Sequence, residues 1–126
     1  MDNEFVFNIN PIAASRPRIS RWGAYYTGAY KKFRVDAVDI VESTLGVGWI
    51  PLEGFVHVGV EVVVKQPKKT KLEYPKADID NYLKAIFDCL NGKLWIDDKQ
   101  VILVTATKAW NKPNEEGYFL ISIKEI

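Results

Sequence analysis

The chain moves between two hydrophobic periods. Phe5, Phe7 and Ile9 alternate with Val6 and Asn8 at the two-residue period of a strand, and Pro11 ends the run. Over residues 29–45 the period lengthens: Tyr30, Phe33, Ala37, Ile40, Val41, Thr44 and Leu45 fall along one helical face, with Gly46 placed as a C-cap. Val56, Val58, Val60, Val62 and Val64 then alternate with Phe55, His57, Gly59, Glu61 and Val63, which predicts a half-buried strand. A second helix is marked by Ile79, Tyr82, Leu83, Ile86, Phe87 and Leu90 and stopped by Asn91-Gly92. Residues 101–108 and 118–123 read as two further strands, joined by a turn-rich segment over 111–117. The order β-α-β-α-β-β predicts an α+β fold, a single domain over residues 1–126 with a mixed β-sheet of about four strands packed with two main helices.

The polar positions of the second helix carry the chemistry. Asp80, Lys84 and Asp88 recur one turn apart on the side opposite the apolar face, so they meet solvent or a substrate. Asp78 precedes the first apolar position and is placed as an N-cap whose carboxylate can accept from the free amides of the first turn. Asp97-Asp98 follow the helix and sit just before a strand. If that strand lies alongside the helix, Asp97 or Asp98 comes near Asp78 and Asp80. Singly, each residue has an ordinary account: a helix cap, a surface ion pair from Asp80 to Lys84, a solvated turn. Together, Asp78, Asp80, Asp97, Asp98 and Lys84, all within twenty-one residues, fit a metal-dependent phosphodiester hydrolase. Carboxylate oxygens suit Mg²⁺, and one ion with a lysine, or two ions about 4 Å apart, can neutralise a phosphate and activate water.

The run Asp78-Ile79-Asp80-Asn81-Tyr82-Leu83-Lys84, continued by Asp97-Asp98-Lys99-Gln100-Val101, resembles the signature of the RusA family of Holliday junction resolvases. In that family the pattern is Asp-x-Asp-Asn, a lysine four residues after the second Asp, and a later Asp-Asp-x-Gln-Val; every position is filled here. Ser15-Arg16-Pro17-Arg18, followed by Gly23, Tyr25 and Tyr26, is similar to the Arg-Pro-Arg segment of many phage and prophage members. The resemblance implies a Mg²⁺-dependent crossover junction endonuclease that works as a homodimer in DNA recombination and repair, placing symmetric paired nicks in four-way DNA junctions. By motif match Asp78, Asp80 and Asp98 take the place of the family's essential carboxylates and Lys84 that of its active-site lysine, while Asp97 matches an adjacent acidic position and is a further ligand candidate. One departure stands out: Pro75-Lys76-Ala77 replaces a run of arginines that some members carry before the Asp-x-Asp.

Charge changes the picture in its distribution more than in its sum. The 126 residues carry a net charge of only +1, yet Arg16, Arg18, Arg21, Lys31, Lys32 and Arg34 occur with no acidic residue among them. Lys65, Lys68, Lys69, Lys71 and Lys76 are offset only by Glu73, so these two segments hold eleven of the 17 basic residues. Arg16, Arg18, Arg21, Lys68, Lys69 and Lys76 are accordingly candidates for phosphate contact, with solvated loops as the plain alternative. Trp22, Tyr25, Tyr26 and Tyr30 interleave with the first segment; Trp22 is a candidate to stack on an unpaired base, whereas Tyr30 suits the packing of the next helix.

Several classes are excluded. Cys89 is the single cysteine, so there is neither an intramolecular disulfide nor a cysteine zinc cluster, and His57 is the single histidine, alone in a strand. No Ser-His-Asp set, Gly-rich phosphate loop, signal peptide or long apolar span is apparent, which predicts a cytoplasmic protein without a membrane partner. The competing functions are a nuclease for flaps, forks or other branched DNA, and a catalytically silent DNA-binding domain that keeps the helix for structure.

Overall fold

A computed structural model describes residues 2–26 and 28–126. Its centre is a four-stranded mixed sheet formed by β1 (Asp2–Phe7), β4 (Val56–Val64), β5 (Val101–Trp110) and β6 (Tyr118–Glu125), in the order β1-β6-β4-β5. β1 pairs antiparallel with β6, β6 antiparallel with β4, and β4 parallel with β5. A parallel pair cannot be closed by a tight turn, so the chain must cross back over the sheet between β4 and β5. It does so through a loop and α2 (Ile79–Leu90). The other helix, α1 (Gly28–Leu45), joins the N-terminal part to β4.

Both helices pack into one core. Tyr30, Phe33, Ala37 and Val41 from α1 meet Tyr82, Ala85, Ile86 and Leu90 from α2 over the alternate valines of β4 and Phe119, Ile121 and Ile123 of β6. The predicted apolar faces are therefore the faces that are buried. Phe7 and Phe119 lie opposite one another in the β1–β6 register and stack with ring centroids 4.9 Å apart. α1 ends where Gly46 takes a φ of +83°, a conformation that costs glycine little, and its amide donates to the Glu42 carbonyl. The other sheet face, which includes His57, Gly59, Thr105, Thr107 and Ser122, is left partly open. At the sheet edge β5 exposes Ile102, Leu103 and Val104.

The predicted α+β class, two helices and four-stranded mixed sheet are all present, with β1 starting earlier and β5 and β6 ending later than the pattern suggested. A small hairpin, β2 (Arg18–Ser20) with β3 (Gly23–Tyr25), has no counterpart in the sequence-based order. Its strands are three residues long and almost wholly exposed, so no buried stripe marks them.

Phe119→Ala removes one member of the stacked pair at the fully buried centre of the sheet. It is expected to destabilise the fold by about 3–5 kcal/mol, read as a lower urea midpoint with an unchanged slope.

Candidate functional site

The start of α2 is held in place by the loop that leads into it. The Lys65 amide donates to Asn10 Oδ1 and the Gln66 amide to Asn111 Oδ1, both at 2.8 Å, which fixes the exit from β4. Trp110 Nε1 donates to the Leu72 carbonyl at 2.9 Å, and Lys108 Nζ donates to the Ala77 carbonyl at 2.8 Å while lying over the Tyr74 ring. From the other side the Ala14 amide donates to the Asn81 carbonyl at 2.9 Å. Both segments flanking the helix start are thus tied to it by hydrogen bonds that fix backbone rather than side chains.

On this base the two leading carboxylates are left free. Asp78 occupies the N-cap position with an extended backbone, but its side chain makes no capping bond; the Asn81 and Tyr82 amides are met by the Asp78 carbonyl. The sequence-based capping role therefore holds for the position and fails for the carboxylate. Asp80 is exposed, and the ion pair from Asp80 to Lys84 does not form, because Lys84 Nζ turns to Asp88 Oδ1 at 2.9 Å. Among the described residues neither Asp78 nor Asp80 has a side-chain hydrogen bond or an ion pair. The positive end of the helix dipole lies beside both.

The second acidic pair is organised differently. Asp97 caps the short 3₁₀ turn of residues 98–100: its carboxylate accepts from the Lys99 amide at 3.2 Å, and Gln100 Oε1 accepts from the Asp97 amide at 2.9 Å. Gln100 is 7% exposed, and its Nε2 bridges the carbonyls of Leu52 and Gly54 at 2.7 and 2.9 Å. Asp98 accepts from Asn91 Nδ2 at 3.4 Å, while Asn91 Oδ1 accepts from Trp95 Nε1 at 2.6 Å. Trp95 itself is fully buried against Phe87, which makes it a core residue and not a surface contact.

Lys84 links the two ends. The hydrogen bond with Asp88 holds its ammonium above the usual lysine range, partial desolvation opposes this, and the charges of Asp88 and Asp98 add to it. The lysine is a fixed cation at neutral pH. Cys89, on the buried side of the same turn, has its thiol pushed up to about 12 by burial and donates to the Ile86 carbonyl, so it takes no part in the chemistry.

The structure thus brings Asp78 and Asp80 together at the head of α2 and Asp98 to Lys84 further along it. No three acidic, histidine or cysteine groups converge as a metal cage among the described residues. Arg16, Arg18, Arg21, Lys68, Lys69 and Lys76 are all exposed: the first three on the segment that includes β2, Lys68 and Lys69 in the loop after β4, and Lys76 two positions ahead of Asp78. Sequence reasoning missed Lys108, Tyr74 and the second role of Asn91. Lys108 gave no signal, since an alternating position in a strand does not reveal which loop crosses it. Asn91 read only as a helix stop.

A family model described as endodeoxyribonuclease RusA matches residues 8–116 of the 126, a span that contains every candidate from Arg16 to Asp98. The chain belongs to the RusA family. No curated protein matches it. A RusA endodeoxyribonuclease is a phosphodiester hydrolase, and these nucleases are generally metal-dependent. The donor set fits such an ion: Mg²⁺ keeps several waters and is commonly held by one or two carboxylates plus substrate phosphate, and Asp78 and Asp80 are two uncommitted carboxylates. No helix among the described residues is long and apolar enough to cross a membrane.

The glutamine of the RusA motif has a structural explanation here. Gln100→Leu strands two carbonyls and the Asp97 amide at once, and is expected to cost about 1–3 kcal/mol in a urea titration. Lys99→Ala in the same exposed turn should stay within about 0.5 kcal/mol of the parent.

Proposed function

We propose that this chain is a Mg²⁺-dependent endodeoxyribonuclease that resolves four-way DNA junctions, acting in the cytoplasm in recombination and repair as one RusA-like domain over residues 1–126. The observation that carries the reading is the pair of free carboxylates, Asp78 and Asp80, on a rigidly tethered helix start within the RusA match. Asp78 and Asp80 are the residues that would hold the ion, with Asp98 as the third acid of the set. When bound, the ion neutralises charge on the scissile phosphate and activates a water. Lys84 presents a second positive charge to the same phosphate; its ion pair with Asp88 holds it, and the charge of Asp98 favours its protonated form. Asp97 acts by fixing the turn that carries Asp98.

Arg16, Arg18, Arg21, Lys68, Lys69 and Lys76 bind backbone phosphates on the flanks of the acidic region, so affinity falls with salt. A four-way junction is two-fold in character, and paired nicks need two sites; the active species in this reading is a homodimer.

The test is cleavage of end-labelled four-way junction, fork and linear duplex with Mg²⁺ or EDTA. Paired nicks confined to the junction and lost in EDTA are expected. Asp80→Asn should lower the rate by more than roughly a hundredfold, and Lys84→Met by about 10²–10³, with junction affinity retained. Cutting of forks would make the protein a branched-DNA nuclease instead. Absence of Mg²⁺-dependent cutting on every substrate, or full activity of Asp80→Asn, would contradict the reading.

A further inference from the structure

The β2–β3 hairpin carries two strongly exposed large apolar side chains and plays no part in the core. Trp22 is 84% exposed and Ile19 87%. The exposure is built in: β2 and β3 pair in the register Ser20↔Gly23, leaving Arg21 and Trp22 as the turn. The Trp22 amide donates to Ser20 Oγ at 3.1 Å, Ser20 Oγ donates to the Gly23 carbonyl at 3.2 Å, and Gly23 takes a φ of +115°. That turn holds the indole outward. The Arg21 guanidinium lies 4.8 Å from the Trp22 ring centre, covering part of the indole.

The hairpin also stands beside the acidic region. Ahead of it, Ala14 is bonded to Asn81 in the first turn of α2. Behind it, Tyr26 meets Tyr30 edge-on at 5.0 Å, Arg34 lies over both rings, and Tyr30 is close enough to Lys84 and Asp88 to feel their charges. The front end of the hairpin segment is therefore fixed to α2, which carries Asp80 and Lys84, and its rear end packs on α1, the helix beside it. Arg16, Arg18 and Arg21 form no ion pair among the described residues. An outward indole between unpaired arginines matches a nucleic acid that offers phosphates and an uncovered base face together. Regular duplex keeps its base faces stacked; a branch point does not.

We propose that Trp22, at the tip of the β2–β3 hairpin, stacks on a base at the branch point of the DNA and so selects branched over linear substrate. This rests on the DNA-junction reading above. Trp22 is a binding determinant, and Arg16, Arg18 and Arg21 hold the flanking phosphates.

The experiment measures affinity by fluorescence anisotropy in EDTA, for a four-way junction and a linear duplex of matching arm sequence, with wild type, Trp22→Ala and Trp22→Phe. Trp22→Ala should bind the junction roughly tenfold more weakly, the scale of one lost base stack, with duplex affinity unchanged and Trp22→Phe close to wild type. Equal weakening on both DNAs, or no weakening, overturns the proposal. A changed sedimentation coefficient of Trp22→Ala without DNA also overturns it, since the hairpin would then meet another protein chain. A wild type that prefers the junction regardless of residue 22 leaves the junction reading standing and removes only this role. A wild type with no junction preference removes both.

Discussion

The parallel pairing of β4 with β5 is the constraint on which the rest of the site depends. Two parallel neighbours force a crossover, and α2 is its body. The loop after the carboxyl end of β4 delivers Asp78 and Asp80 to the head of the helix, and the turn before β5 delivers Asp97 and Asp98 near its foot. The 12-residue helix, about 18 Å long, lies between the two deliveries, and no three of these acids converge as a cage among the described residues. The long side chain of Lys84, drawn along the helix by Asp88, is what relates them.

The same topology explains a division of labour. Asp97 is consumed in a capping box and Asp98 is bonded to Asn91, whereas Asp78 and Asp80 have no side-chain partners among the described residues. Free carboxylates at a helix start cost little, because the helix dipole favours negative charge there. Their placement comes from bonds to backbone carbonyls, Lys108 Nζ to Ala77 and the Ala14 amide to Asn81, and among the described residues neither carboxylate is paired with a protein cation.

Much of this was legible in the residues. The five alternate valines specified β4, and the apolar stripe from Ile79 to Leu90 specified α2 to the residue, because burial leaves a periodic trace. The hairpin at 18–25 left none, since nothing of it is buried. The Asp97–Gln100 capping box was present in the letters, yet its purpose depends on Leu52 and Gly54, which no local pattern connects to it. The acids stood out by their grouping, but their spacing in sequence did not reveal that Lys84 would choose Asp88 over Asp80. Two ion pairs at helical spacing compete there, and local spacing alone does not decide between them.

In the proposed reading the ion is held at the head of α2, by Asp78 and Asp80. Paramagnetic broadening of backbone amide signals on titration with Mn²⁺, a cation that favours the same oxygen ligands, tests it directly. Broadening centred on residues 77–82 at the lowest Mn²⁺ concentrations, and abolished when both aspartates are changed to asparagine, is the predicted result. Broadening centred elsewhere, or unchanged in that double variant, would contradict the account.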